Sequence, residues 1–69
     1  MRNDMDNNFS VNLKRLRVAN KVTQKELAKA LNTTLKTVSH WETGYTEPSI
    51  KQILDISDYF SVSLEELLK

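Results

Sequence analysis

The stretch TQKELAKALNTTLKTVSHWETG, residues 23–44, holds two short helical patterns separated by Asn32, Thr33 and Thr34. Isolated helices shorter than about 12–15 residues are marginal in water, so neither pattern stands alone. Both must share one core at a fixed spacing. Their boundaries are written into the sequence. Thr23 and Glu26 form a T-x-x-E capping box that opens the first pattern. Thr34 caps the second, which runs to about Glu42, and Gly44 stands just past its end. With the ends fixed, so are the faces: Leu27, Ala28 and Leu31 point inward from the first pattern, Val38 and Trp41 from the second.

The rest of the chain reads the same way. One Gly and one Pro punctuate 69 residues, and strand alternation is absent. Residues 9–19 predict a helix with Phe9, Leu13, Leu16 and Asn20 on one face and Arg17 at its edge. Asn20-Lys21 makes the following turn, since Asn tolerates a left-handed backbone. A fourth helix begins after Pro48 and ends at Phe60, with Ile50, Ile53, Ser57 and Phe60 on one stripe and Leu54 and Ile56 at its margins. Ser63 and Glu66 form a second capping box, opening a short fifth helix with Leu64, Leu67 and Leu68. The expected fold is all-α: a compact five-helix bundle over residues 9–69, with the helical pair at about 23–42 and residues 1–8 as a mobile arm.

Composition excludes several chemistries. No cysteine means no disulfide framework and no thiolate metal site, and one histidine does not make a zinc site. Neither metal nor cofactor is expected. With no Gly-rich loop and no visible nucleophile–base pair, the chain does not read as an enzyme. The polar start, MRNDMDNN, is unlike a signal peptide, and no apolar run approaches membrane-spanning length, so a soluble, cytoplasmic chain without a membrane partner is expected.

Net charge is only +1, yet it is unevenly spread. Residues 10–41 carry Lys14, Arg15, Arg17, Lys21, Lys25, Lys29 and Lys36 against Glu26, a formal +6. Residues 42–69 carry Lys51 and Lys69 against Glu42, Glu47, Asp55, Asp58, Glu65 and Glu66, a formal −4. Such a dipole presents one face to a polyanion; the alternative is a set of solvated helix faces.

The third helix decides between them. With Val38 and Trp41 at zero, Lys36 lies about 170° away and Ser39 and His40 about 130° away on either side. Leu35 and Thr37 fall on the flanks. A polar, cationic outward face near the N-terminal end fits a helix that enters a groove of double-stranded DNA. The second helix begins with Gln24 and Lys25, and a helix N-terminus attracts phosphate. Two helices joined by a three-residue turn, the second offered outward, make a helix-turn-helix. On this reading Lys36 contacts phosphate or guanine. His40 is a DNA contact or an idle surface imidazole. Leu35 is a flank of the core or meets a thymine methyl. Thr23, Lys25, Tyr45 and Thr46 are candidates for phosphate contact.

These residues also resemble a known family. Thr23-Gln24, Glu26-Leu27-Ala28, Thr34, Val38-Ser39, Trp41-Glu42 and Gly44 are similar to the helix-turn-helix of the phage repressor/Cro (Xre) family. The likeness extends to Leu13, Leu16 and Arg17 upstream and to Pro48, Ile53, Ile56, Phe60, Val62, Ser63 and Leu67 downstream. It implies a lambda-repressor-like, five-helix DNA-binding domain that commonly binds as a dimer. It also implies DNA-facing positions at Gln24, Thr34, Leu35, Lys36, Thr37, Ser39 and His40, and a structural ion pair between Arg17 and Glu42. The chain departs from the family at Asn32, where Gly is common, and at Leu35, where a polar base reader is common.

Two functions compete on these grounds. The first is a sequence-specific transcriptional regulator, a repressor binding an inverted repeat as a homodimer. The second is an antitoxin or adaptor whose main partner is a protein, with DNA binding secondary. Leu54, Tyr59 and the C-terminal leucines are available to either.

Overall fold

Five helices follow one another: α1 (Met5–Ala19), α2 (Gln24–Ala30), α3 (Leu35–Thr43), α4 (Ile50–Phe60) and α5 (Leu64–Leu68). The computed structural model describes residues 5–69, with side chains from residue 8 onward, and shows no strand among them. α1 begins four residues before the expected boundary at Phe9, so residues 5–8 of the expected arm are helical. The remainder of that arm, residues 1–4, lies outside the described residues.

The start of each later helix is fixed by a local hydrogen bond. Thr23, Thr34, Ser49 and Ser63 each accept from the backbone N–H three residues on. Thr23–Glu26 and Ser63–Glu66 close the two expected capping boxes, and Ser49–Gln52 closes a third.

The ends of the first four helices share one device. The residues Lys21, Asn32, Gly44 and Ser61 all adopt positive φ, from 55° to 80°. After each, the next N–H reaches back across the final turn: Val22 to Arg17, Thr33 to Ala28, Tyr45 to His40 and Val62 to Ser57, at 2.8–3.1 Å. This is the Schellman closure, and it satisfies carbonyls that the helix leaves orphaned. Lys21, not Asn20, takes the left-handed position. Asn20 instead folds its side-chain amide back onto the Leu16 carbonyl and is exposed, not on the apolar face.

The core draws on every helix: Phe9 and Leu13, Leu27 and Ala28, Val38 and Trp41, Ile56, and Leu67. Leu16, Val22, Leu31, Ile53, Phe60 and Leu68 pack against it. On α4 the stripe is rotated from its expected centre. Ile56 is fully buried and Ile50 is 78% exposed. Ile53, Ile56 and Phe60 lie within about 60° of one another around the helix, and Ile50 lies nearly 90° from their mean. α5 has only five residues and is secured from α1. Asn8 Nδ2 donates to the Lys69 carbonyl at 2.6 Å and Asn12 Nδ2 to the Leu67 carbonyl at 2.9 Å.

Candidate nucleic-acid interface

α2 and α3 pack together and α1 packs on α3. One polar cluster fixes all three. Arg17 Nε donates to Glu42 Oε2 at 2.6 Å and Nη2 donates to Oε1 at 3.0 Å, a forked pair. Arg17 Nη1 donates to the Val22 carbonyl at 2.9 Å. Gln24 Nε2 donates to Glu42 Oε1 at 3.0 Å. Glu42 is 3% exposed and Arg17 13%, so the pair is largely shielded from water. The Glu42 hydrogen bond raises the Arg17 pKa above its ordinary value, against the opposing effect of burial. A carboxylate only accepts, so the Gln24 amide must turn its nitrogen to Glu42 and leave its carbonyl free to receive a donor.

This cluster sets how α3 is presented. Val38 and Trp41 are buried at 0% and 2%. Lys36, nearly opposite, is exposed, while Thr37, Ser39 and His40 are half-buried on the way round. Leu35 is 50% exposed and is not a flank of the core. At the N-terminal end Thr34 Oγ1 accepts from the Thr37 N–H at 3.1 Å, and the two hydroxyls lie 2.9 Å apart. One of them donates to the other, so one O–H remains to reach an external acceptor.

At the other end Gly44, at φ 80°, turns the chain, and its C-terminal neighbours return to the helix. Tyr45 and Thr46 both donate N–H to the His40 carbonyl, at 2.9 and 3.3 Å. The Tyr45 ring lies against His40 with centroids 4.7 Å apart, although Tyr45 itself is 77% exposed. Thus Tyr45 lies against α3 at His40, and Thr46 returns to the helix through its backbone N–H. Thr23 and Lys25 stand exposed at the start of α2.

Charge in the basic segment, residues 10–41, is uncommitted apart from Arg17. Among the described residues, none of Lys14, Arg15, Lys21, Lys25, Lys29 and Lys36 makes an ion pair. In the acidic part both lysines are paired, Lys51 with Asp55 and Lys69 with Glu65.

Gln24 buttresses α3 through Glu42, a partner that the sequence alone does not name. The Asn12 clasp on α5 was equally invisible. The third capping box was legible as S-x-x-Q at Ser49–Gln52.

A capped helix, a short left-handed turn and a second helix clamped with its polar face outward define a helix-turn-helix domain. The helix-turn-helix family model matches residues 13–67, and the chain belongs to that family, of the phage repressor/Cro (Xre) type. The curated relatives that the chain matches are named as transcriptional regulators. The chain is 41% identical over 61 residues to the HTH-type transcriptional regulator YqaE of Bacillus subtilis (strain 168), covering 88% of this chain and 53% of that protein. It is 37% identical over 60 residues to the HTH-type transcriptional activator BcrR of Enterococcus faecalis, covering 87% of this chain and 29% of that protein. It therefore spans about half or less of these relatives. The solution structure of the SOS-response transcriptional repressor LexA from Eubacterium rectale superposes with a TM-score of 0.89 at 25% identity, covering all of this chain and 73% of that one.

Proposed function

We propose that this chain binds double-stranded DNA sequence-specifically and regulates transcription as a repressor, occupying an inverted-repeat operator as a homodimer in the cytoplasm. The observation that carries this reading is the outward face of α3, with exposed Lys36 at its centre, on a helix locked by Arg17, Glu42 and Gln24. Recognition needs rigid presentation, because side chains must meet base edges in register. Thr34, Leu35, Lys36, Thr37, Ser39 and His40 face the major groove, and Gln24 meets the backbone with the second N–H of its amide, which donates to a phosphate oxygen. Thr23, Lys25, Tyr45 and Thr46 contact phosphates. Repression is the simpler outcome, since occupancy of an operator is enough, whereas activation needs a productive protein contact as well. Relatives named as activator and as repressor share the domain, so the sign of regulation lies outside the recognition surface.

Lys36→Ala tests this. Lys36 is exposed and opposite the core, so the fold should survive. If it reads guanine, the variant loses about 1–3 kcal/mol on the best site and relaxes preference at one base pair. If it touches phosphate only, all sequences weaken alike and the salt slope drops by about one. Unchanged binding to selected and random duplexes alike would remove α3 from recognition.

A second reading, an antitoxin or adaptor held by a protein partner, draws on Leu54, Tyr59 and Leu64, exposed at 46%, 42% and 41% in the acidic part. The same residues serve a homodimer interface. Sedimentation separates them: a chain that stays monomeric alone and on a full site favours the protein partner. Among the described residues no helix is long and apolar enough to cross a membrane.

A further inference from the structure

Leu35 opens α3 and stands half exposed. It shares a shallow groove between α2 and α3 with Lys25, Ala28, Lys29, Asn32 and Thr33. Ala28 is buried, so among the described residues Leu35 is the only large apolar group on that groove. The two lysines beside it have no ion-pair partner among the described residues. An apolar protein surface seated here would strip water from two ammonium groups without replacing their hydrogen bonds, which is unfavourable. The DNA major groove offers the matching combination. Phosphates line its edges, and the thymine C5-methyl is the apolar group its bases display. Leu35 is also the direct neighbour of Lys36, the centre of the outward face.

We infer that Leu35 is a specificity-determining residue that packs on a thymine methyl, so that each half-site carries a T·A pair under the first turn of α3. This rests on the DNA-binding reading above and deepens it. One methyl withdrawn from water corresponds to about a fourfold change in affinity.

The test uses the full chain to select duplexes from random sequence. Each thymine of the best duplex is then replaced in turn by uracil, which deletes the C5-methyl and keeps the pairing edge. The expected result is one thymine per half-site at which uracil weakens binding about fourfold. That sensitivity disappears in Leu35→Ala and persists in Leu35→Met, which keeps an apolar side chain of similar length. The uracil scan of the parent needs no variant, so a poorly folding Leu35→Ala does not shield the inference. Indifference of the parent to uracil at every position overturns it, as does an unchanged uracil sensitivity in Leu35→Ala; in either case sequence-specific binding still stands. A selection that returns no preferred sequence removes the underlying reading as well.

Discussion

Glu42 is a carboxylate on the helix proposed to meet DNA, and it would repel phosphate if it were free. Its three donors absorb that charge: Arg17 twice and Gln24 once. The same bonds tie α1, α2 and α3 at one point. Losing one partner is therefore worse than losing the attraction alone, because the other is left in a shielded place. Arg17→Ala should be the more damaging change, by about 3–5 kcal/mol, since the 3%-exposed carboxylate keeps only Gln24. Glu42→Ala should lose less, because the long arginine stem can swing its head into water. A domain of this length has roughly 3–10 kcal/mol in total, so the arginine variant should melt near working temperatures. The double variant should lose less than the sum of the singles in urea unfolding. Strict additivity would mean that the two side chains act independently. The Arg17–Glu42 contact was approachable from sequence, through the position of Arg17 on its helix and the family likeness. Gln24 was not, since an amide gives no sign of which way it turns until its neighbour is known.

Short helices in this chain begin and end by local chemistry, and that decides how much of them the sequence reveals. Capping boxes are legible because both partners lie within four residues. Ends closed by a left-handed residue are legible at Gly44 and obscure at Lys21 and Ser61, where a side chain sits in backbone space it disfavours. In three places the next cap follows two residues later: Lys21 to Thr23, Asn32 to Thr34, Ser61 to Ser63. The orientation of α4 was misjudged for a different reason. Ile50 and Ile56 are equally apolar, and only the positions of neighbouring helices decide which is buried. Two outcomes follow from the caps. Ser61→Gly removes a left-handed strain of roughly 1–2 kcal/mol and returns part of it as unfolded-state freedom. Net stabilisation should be about 0.5–1 kcal/mol, or about 2–8 °C in Tm by calorimetry; no gain would mean that Ser61 is unstrained. Glu26 behaves differently, since the Thr23 N–H and hydroxyl hold its carboxyl below the ordinary 4.5. A lowered native pKa means stability that is present above 4.5 and lost as pH falls from there through the native value. Glu26→Gln keeps a box like that of Ser49–Gln52 and removes the titration. Its Tm should therefore decline less between pH 5 and 3 than the parent's, and parallel profiles would exclude Glu26 from the acid response.

At the scale of the molecule, charge and assembly meet. The formal +6 of residues 10–41 and −4 of residues 42–69 nearly cancel in total, yet a long, uniformly charged duplex responds to their distribution. Six cations of the basic segment have no ion-pair partner among the described residues, whereas Lys51 and Lys69 are held by their own acids. Binding through the basic side releases counterions in proportion to the phosphates neutralised. If two chains together neutralise on the order of 6–10 phosphates, affinity for the full site should fall about 10³–10⁵-fold between 50 and 200 mM salt. A duplex holding one half-site should show about half that logarithmic slope, because only one chain engages. Spacing supplies the independent check. Two-fold-related recognition helices read half-sites about 34 Å apart, one turn of duplex, on a single face. Inserting about five base pairs between the half-sites turns one of them to the far face, about half a helical turn away. Affinity for that duplex should drop to the level of the isolated half-site, and its salt slope should follow. A spacing-independent affinity would leave each chain binding alone, and an affinity independent of salt would leave the basic segment with no phosphate to meet.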